Sequence, residues 1–281
     1  MLLATMLVGA QTKIAPEMKK GMKKTYLTQV TINAPSKQAA TISCETIYEV
    51  TDETADGYTL DVYISEVKND AKDADSRIYS MATEMLKGIH TRYTTDKDGK
   101  VQKILDAEDV KNRTNEMLDN ILSNVPLPES TTASELRKQL TGNLSEESLL
   151  QSVQISISPL TLNGKTISTG MEDEYNTEQG IKMKRTYTVK DKNNIQTSAK
   201  IDMSSEEIKK MITGTLEQLM PNQLDNVMEM MGEMIKNLKI DASENTTYIL
   251  QKDGWVKSIT SESNYDSNGM SFKVNTKVTL K

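Results

Sequence analysis

Few residues in this chain of 281 have side chains suited to nucleophilic or metal chemistry. The chain contains one histidine, His90, and one cysteine, Cys44, so a catalytic triad or dyad would have to use that single imidazole. His90 follows Gly88 at the predicted start of a strand, and we interpret it as a surface or strand-edge residue. Cys44 alternates with Ile42 in a strand pattern and is interpreted as a small buried residue. One ligand of each kind is also too few for a zinc site.

Carboxylates are plentiful, but their spacing matches no familiar site. Asp96, Asp98 and Gly99 begin like a calcium-binding loop, yet the glycine comes too early and no glutamate closes the loop. The run Glu-Asp-Glu at 172–174 is a candidate acid/base or cation site. Catalytic carboxylates need one member in a low-dielectric pocket, whereas three adjacent acids in a predicted loop are expected to be solvated. We therefore expect a protein that is not an enzyme and that uses neither a metal nor a cofactor.

Methionine is unusually frequent, at 17 residues, and several methionines recur at spacings of three and four. A helix turns that spacing into a single apolar stripe. Two interpretations stay open: the stripes pack as core against a concave sheet, or they line a cleft that accepts an acyl chain or an apolar partner peptide. The single tryptophan is likewise either a core plug or the aromatic wall of a cleft. The candidate ligand-binding residues are Met81, Met85, Met211, Leu216, Met228, Met231, Met234 and Trp255.

The charge balance bears on the class of partner. A net charge of -6 and a pI near 5.1 argue against a nucleic-acid-binding protein, which needs a concentrated positive field. One basic cluster, formed by Lys19, Lys20, Lys23 and Lys24, precedes the first predicted strand. It could touch an anionic membrane surface, but we prefer to interpret these lysines as the solvated flank of an edge strand.

The first residues predict export. Residues 1–10, MLLATMLVGA, form a short apolar run that ends in small residues, so we expect a signal peptide cleaved after Ala10. The run lacks the positive start of a signal peptide, which suggests a true start further upstream. No later run approaches the roughly 18 apolar residues of a membrane span. We therefore expect a soluble mature protein that is periplasmic or secreted.

A repeated turn organises the rest of the chain. The sequence reads KDGKVQKI at 97–104 and KDGWVKSI at 252–259, with Lys, Asp, Gly, Val and Ile at the same offsets. Asp-Gly between β-prone runs is a strong hairpin signal, because glycine readily takes the positive φ of a tight turn. Alternating and helical patterns around the two copies predict that each half has two strands, a helix and this hairpin. Apolar stripes predict helices around 78–89 and 224–238, and Ser204 with Glu207 predicts a capping box. Asn163-Gly164 predicts a further hairpin, and alternation over 272–280 predicts a last strand.

These patterns predict an α+β fold: a curved antiparallel sheet, or half-open barrel, built from two similar halves, with helices inserted between hairpins and packed on the sheet. We expect a first half over 11–125, a connector with short helices over 126–151, and a second half over 152–281. The two halves are expected to form one continuous domain.

The element order resembles the half-open barrel of the periplasmic lipoprotein-carrier class, the LolA-like fold. Four short runs are also similar to an uncharacterised family of exported proteins from Bacteroidetes-type bacteria. They are Lys-Lys-Gly at 19–21, Lys-Lys-Thr-Tyr at 23–26, Asp-Gly-Tyr-Thr-Leu at 56–60 and Gly-Trp-Val-Lys at 254–257. The resemblance implies a fold and an exported location, and it supplies no active-site residues.

Together these features predict a non-enzymatic envelope protein that binds a hydrophobic ligand, a lipid or acyl chain, or an apolar partner segment. Burial of apolar surface would drive such binding. One alternative is a structural or assembly protein of the envelope that acts through protein–protein contacts, and another is a hydrolase that uses carboxylates. The sequence leaves the oligomeric state open.

Overall fold

The computed structural model describes most of the chain outside several connecting segments. The described residues are 11–33, 39–70, 84, 87–124, 146–147, 150, 153, 156–177, 181–219, 240–267 and 270–281. The strands are β1 (Thr12–Lys13), β2 (Lys23–Asn33), β3 (Ala40–Glu53), β4 (Gly57–Asn69), β5 (His90–Asp96), β6 (Val101–Ile104), β7 (Thr166–Ile167), β8 (Glu172–Asn176), β9 (Lys182–Asp191), β10 (Asn194–Ile201), β11 (Ile240–Leu250), β12 (Val256–Ser267) and β13 (Met270–Leu280). The helices are α1 (Ala107–Asn124) and α2 (Ser205–Leu219).

One large, curved antiparallel sheet of 11 strands dominates this α+β structure, and it does not close into a barrel. Its order is β6-β5-β4-β3-β2-β13-β12-β11-β10-β9-β8, so β2 to β6 lie on one side and β8 to β13 lie on the other, while β1 and β7 pair with each other outside this sheet. The two sides join where β2 pairs with β13, for example at Tyr26 and Leu280. The strands of the two predicted halves therefore belong to one continuous sheet.

Period-two alternation determines which side chains enter the core. Tyr248 of β11 lies opposite Ile195 of β10 and Ile259 of β12, and Ile259 lies opposite Val278 of β13. All four are at most 2 % exposed. We call the face that carries them, together with Tyr26 of β2, the inner face.

Two short segments cover the central part of the inner face. The N-terminal segment, residues 12–18, pairs through β1 with β7, and it buries Ile14 and Met18 in the main core. The segment 156–167, which ends in β7, buries Leu162 and Ile167 beside them. The apolar sheet surface is thus shielded by one segment from the N-terminal part of the chain and one from its middle.

Both KDG turns form the predicted hairpins, and both contact the N-terminal segment. Gly99 and Gly254 have φ of 78° and 80°, as the turn prediction requires. A Cβ on Gly254 would lie 2.8 Å from the Ala15 carbonyl oxygen, and one on Gly99 would lie 3.0 Å from Cγ of Pro16. In the first turn Asp96 accepts hydrogen bonds from the backbone nitrogens of residues 98 and 100, which accounts for the partial calcium-loop pattern.

The predicted flank of an edge strand is wrong, because β2 pairs with β3 on one side and with β13 on the other. Three of the four lysines form ion pairs. They are Lys20 with Asp52 at 3.0 Å, Lys23 with Glu49 at 2.8 Å and Lys24 with Asp253 at 3.0 Å. Lys24 also lies 5.7 Å from the centre of the Trp255 ring. These lysines therefore neutralise acids of neighbouring strands and turns.

The helices agree with their sequence signals where they are described. The predicted capping box of α2 is confirmed: Glu207 N donates to Ser204 Oγ at 3.3 Å, and Ser204 N donates to Glu207 Oε2 at 2.7 Å. The helical stripes predicted around residues 78–89 and 224–238 lie largely or wholly outside the described residues. In the described part of the chain, neither helix combines the length and apolarity needed to cross a membrane.

The turn at Asn163-Gly164 differs from the predicted hairpin. Gly164 has φ of 75°, as a tight turn requires, but the strand that follows is only the two-residue β7. That strand pairs with β1, so the turn serves the cover of the inner face and lies outside the large sheet.

The contact between the second KDG turn and the N-terminal segment gives a stability test. Gly254→Ala places a methyl group against backbone atoms of Ala15 and Pro16, which cannot swing away as a side chain does. We expect it to lower the free energy of unfolding, measured with urea, by about 1–3 kcal/mol more than a matched glycine substitution does.

Gly21→Ala is the matched control, since Gly21 has φ of 85° and a Cβ there meets nothing within 4 Å. Both variants carry the same left-handed backbone cost of about 1–2 kcal/mol, so their difference isolates the contact. An equal loss of unfolding free energy in the two variants would show that the contact between the second KDG turn and the N-terminal segment does not stabilise the fold.

Candidate binding site on the inner face

The three adjacent acids at 172–174 lie in β8, an edge strand, and not in a loop. Alternation separates their side chains. Glu172 and Glu174 form ion pairs with Lys184 and Lys182 of β9, at 2.8 and 2.9 Å. Asp173 instead lies opposite Arg185 of β9, on the inner face. The acidic run is therefore one inward carboxylate flanked by two paired outward ones.

Asp173 accepts hydrogen bonds from three side chains. Arg185 donates from Nε to one carboxylate oxygen at 2.8 Å and from Nη2 to the other at 3.1 Å. The second oxygen also accepts from the Tyr187 hydroxyl at 2.6 Å and from Lys165 Nζ at 3.0 Å. Two cations thus share one carboxylate, and Arg185 is only 3 % exposed.

The protonation of this cluster follows from burial and hydrogen bonding. Burial raises the pKa of Asp173, but the hydrogen bonds from Arg185 and Tyr187 outweigh burial, and the pKa falls to about 2. Burial lowers the pKa of Lys165 below its ordinary value, and the charge of Arg185 lowers it further. Asp173 is therefore ionised at neutral pH and is a poor proton donor, whereas Lys165 holds its charge against its surroundings.

An apolar pocket of about 240 Å³ lies beside the cluster, over the inner face of β8, β9, β11 and β12. Its floor follows the sheet register, because Tyr175 lies opposite Met183 and Ala242 lies opposite Tyr265. The lining residues are Ser156, Ile157, Tyr175, Thr177, Ile181, Met183, Ala242, Ser243, Glu244 and Tyr265. Burial raises the pKa of Glu244, so the one carboxyl of this lining ionises less readily than an exposed one.

A second cavity of about 180 Å³, which we call the cationic cleft, adjoins the apolar pocket. The two share Tyr175, whose ring centre is 4.7 Å from the Arg185 guanidinium carbon. The segment 156–167 supplies residues to both. The cationic cleft is lined by Lys100, Val101, Val153, Leu160, Thr161, Asn163, Lys165, Asp173, Glu174, Tyr175 and Arg185.

Of the two interpretations left open for Trp255, core plug or cleft wall, the structure places the residue in the core. It is 1 % exposed, belongs to the main core and donates from Nε1 to the Glu17 carbonyl oxygen at 2.7 Å. The indole is enclosed because the second KDG turn brings it against the N-terminal segment.

The methionine candidates are only partly covered by the structure. Met81, Met85, Met228, Met231 and Met234 lie outside the described residues. Met211 is a partly buried residue of α2, and Leu216 belongs to the same helix. The structure therefore does not test the methionine stripes as a binding surface.

Local pattern marked the acidic run 172–174 of β8 as a candidate and expected it to be solvated, but it missed Arg185 of β9 and the pairing of Arg185 with Asp173. The sequence contains one feature that could have identified the site: a charged residue, Arg185, occupies an inward position in a strand whose other inward residues are Met183, Tyr187 and Val189. A buried arginine requires an acidic partner, and the inward acid opposite it, Asp173, lies on the neighbouring strand β8.

His90 and Cys44 lie away from this site. His90 Nδ1 is 2.8 Å from Asp61 Oδ2, and its ring stacks on Tyr63 with a centroid distance of 4.2 Å while about half of the side chain stays exposed. Cys44 is partly buried, and burial raises the pKa of its thiol, which disfavours the reactive thiolate.

No protein-family model matches this chain, and no curated protein does. Among solved structures, a lipovitellin chain from a study of lipid–protein interactions is 12 % identical with a TM-score of 0.39, covering 94 % of this chain and 25 % of its own length. A porin-like protein from Bacteroides uniformis is 11 % identical with a TM-score of 0.21, covering 96 % of this chain and 98 % of its own. DynF, from the dynemicin biosynthesis pathway of Micromonospora chersina, is 7 % identical with a TM-score of 0.19, covering 97 % and 85 %. The chain thus spans a quarter of the lipovitellin chain, and at these TM-scores none of the three supports an inference about function.

The buried cluster predicts a specific stability defect. Asp173→Asn leaves Arg185 and Lys165 without a compensating charge, so we expect the free energy of unfolding at neutral pH to fall by about 3 kcal/mol. Glu172→Gln is the matched control on the same strand, because its pair with Lys184 is about half exposed and should change little.

The same carboxylate predicts a pH dependence. The pKa of Asp173 is lowered from 3.8 to about 2 on folding, so its contribution is present above about pH 4 and is lost as the pH falls toward 2. The gap between wild type and Asp173→Asn in urea unfolding should therefore close over that window. A gap that is constant with pH would show that the ionised carboxylate is not what stabilises the cluster.

Proposed function

We propose that the protein is a non-enzymatic binding protein that holds a hydrophobic ligand, a lipid or acyl chain, on the inner face of its sheet. The observation that carries the proposal is the apolar pocket of about 240 Å³. Ile157, Ile181, Met183 and Ala242 supply its aliphatic lining. Concave apolar pockets with a few polar groups are the usual form of a small-molecule site.

The size of the cavities supports a chain-like ligand. Neither the apolar pocket nor the cationic cleft alone reaches the roughly 300–1,000 Å³ of typical ligand sites, but together they do. Because the two adjoin at Tyr175, a ligand that occupies both must be long and narrow.

Burial of the chain supplies the affinity in this proposal. Each buried methylene contributes about 0.8 kcal/mol, so about ten methylenes give roughly 8 kcal/mol, which corresponds to a micromolar Kd before the costs of association. The polar residues of the pocket would then fix the position of the ligand more than its affinity.

Location and fold family are part of the proposal. The apolar run at 1–10 supports export to the periplasm or the medium. The two KDG turns, one in each half of a continuous open sheet, support a half-open barrel built from similar halves, as in the lipoprotein-carrier class.

A neutral fluorescent probe tests the pocket. We expect wild-type protein to bind N-phenylnaphthylamine, and Ile181→Asp to weaken that binding about tenfold or more, because a carboxylate among apolar walls must be desolvated. Probe fluorescence titration measures both constants.

Ile249→Asp is the matched control, since Ile249 is a partly exposed isoleucine between the inward residues Tyr248 and Leu250 of β11 and thus faces away from the pocket. It should bind the probe as wild type does, with folding of both variants checked by circular dichroism. Failure of wild type to bind, or equal weakening in the two folded variants, would argue against the pocket as the binding site.

A further inference from the structure

The cationic cleft carries more positive than negative charge close to its surface. Lys100, Lys165 and Arg185 line it, and its acids are Asp173 and Glu174. Glu174 pairs with Lys182 of β9 at 2.9 Å, and Asp202 contacts the same ammonium at 3.1 Å, so Glu174 is engaged on the outward side, away from Lys165 and Arg185. Asp173 is therefore the carboxylate that is available to the cations of the cleft, and Lys165 and Arg185 already share it.

Lys165 is the cation that an added ligand would help most. Burial and the charge of Arg185 lower the pKa of its ammonium group, so the surroundings disfavour its charge despite the contact with Asp173. An ammonium has three N–H donors, and two of those of Lys165 are directed to Asp173 and to the Tyr187 hydroxyl, each at 3.0 Å. An incoming oxyanion would accept the third and would also restore the charge balance.

The wall of the same cleft also contains an unsatisfied polar atom. Asn163 lines the cationic cleft and is only 4 % exposed. Its Nδ2 is buried and has no hydrogen-bond partner among the described residues. A buried donor of this kind costs free energy, but it lies beside Gly99, 3.2 Å from where a Cβ on that residue would be, and it is closed to the cleft, so the contact to an oxyanion rests on the lysines.

The position of the cleft relative to the apolar pocket sets the shape of the ligand. Tyr175 is the residue common to the linings of the two cavities. A chain in the apolar pocket that passes Tyr175 brings its end group toward Arg185 and Lys165. An uncharged end group would leave the surplus of positive charge unmatched.

We infer that the cationic cleft binds the oxyanion at the end of an amphiphile, a carboxylate or phosphate, whose apolar chain occupies the apolar pocket. Lys165 donates to the oxyanion, and Lys100 adds long-range attraction from the rim. Arg185 remains bound to Asp173 and positions the tyrosine wall. This inference rests on the proposed function for the chain, whereas the oxyanion site stands on its own residues.

Displacement of bound N-phenylnaphthylamine by matched amphiphiles tests the inference on the full chain. The competitors are hexadecanoate, hexadecyl phosphate and hexadecanol, which differ only in the end group, and inorganic phosphate alone. We expect at least one anionic amphiphile to compete about tenfold more tightly than the alcohol, as one charge-assisted contact allows. Lys165→Met should reduce that preference to about threefold or less while the neutral probe still binds.

Lys184→Met is the control, because Lys184 lies on the same strand as Arg185 but pairs with Glu172 on the opposite face. It should keep the full preference for the anion. Lys100→Met, a change at an exposed lysine of the cleft, gives a second variant that does not disturb the buried cluster and should lower the preference partially.

The outcomes distinguish the oxyanion site from the apolar pocket. Equal competition by acid, phosphate ester and alcohol in a wild-type protein that binds the probe would overturn the oxyanion site and leave the apolar pocket standing. Competition by inorganic phosphate as strong as that of hexadecyl phosphate would assign the cleft to a free anion and overturn the head-group inference. If the neutral probe does not bind, isothermal titration calorimetry with octanoate decides between the two. Binding heat in wild type that Lys165→Met abolishes would support the oxyanion site, although the proposed function fails. The absence of binding heat in wild type would overturn both.

Discussion

The structure depends on the N-terminal segment, residues 12–18, being held against the inner face of an open sheet. A sheet of 11 strands that does not close leaves a broad apolar surface, and burial of that surface supplies most of the stability of such a fold. The attachment is specific: the Trp255 indole donates to the Glu17 carbonyl oxygen at 2.7 Å, and Glu17 N donates to the Asp253 carbonyl oxygen at 2.8 Å. Because the segment also pairs with β7, it fixes the loop 156–167, and that loop supplies walls to both cavities.

The inner face changes from apolar to charged along its strands, and the candidate site lies where the charged residues begin. Near the N-terminal segment the strands contribute Tyr26, Tyr248, Ile259 and other buried apolar side chains. One row further, Thr246 and Ser261 share a hydrogen bond of 2.7 Å between hydroxyl oxygens. Beyond that row lie the inward charges of β9 and β11. The charges of Asp173, Arg185 and Lys165 are gathered in one largely buried cluster. Such a cluster is at best close to neutral for stability when compared with well-packed apolar residues. A role in binding gives a reason for a charged cluster that stability alone does not.

Local sequence pattern predicted the elements better than it predicted the site. The two KDG turns, the Ser204–Glu207 capping box and the inward alternation of β13 follow from contacts within a few residues, and reasoning from local propensity captures those. The partner of Arg185 is set by strand register, and a one-residue shift would turn Asp173 outward. The central position of β2 depends on its pairing with β13, about 250 residues away along the chain, which no local pattern encodes. The methionine stripes could be recognised as helical but not as core or cleft, since that depends on what the helices face.

The two KDG turns show how a repeat can yield a single asymmetric site. Both use a glycine with positive φ, and both bring that glycine against the same N-terminal segment, so each turn helps to hold the segment in place. The residue that follows the glycine differs. In the second turn it is Trp255, which fills the core and is held by Glu17. In the first it is Lys100, whose side-chain stem lies against Gly164 and which lines the cationic cleft. Since the contact with the N-terminal segment does not require a particular residue at this offset, the position is free to serve packing after the second turn and charge after the first, and the site can be one-sided although the turn is repeated.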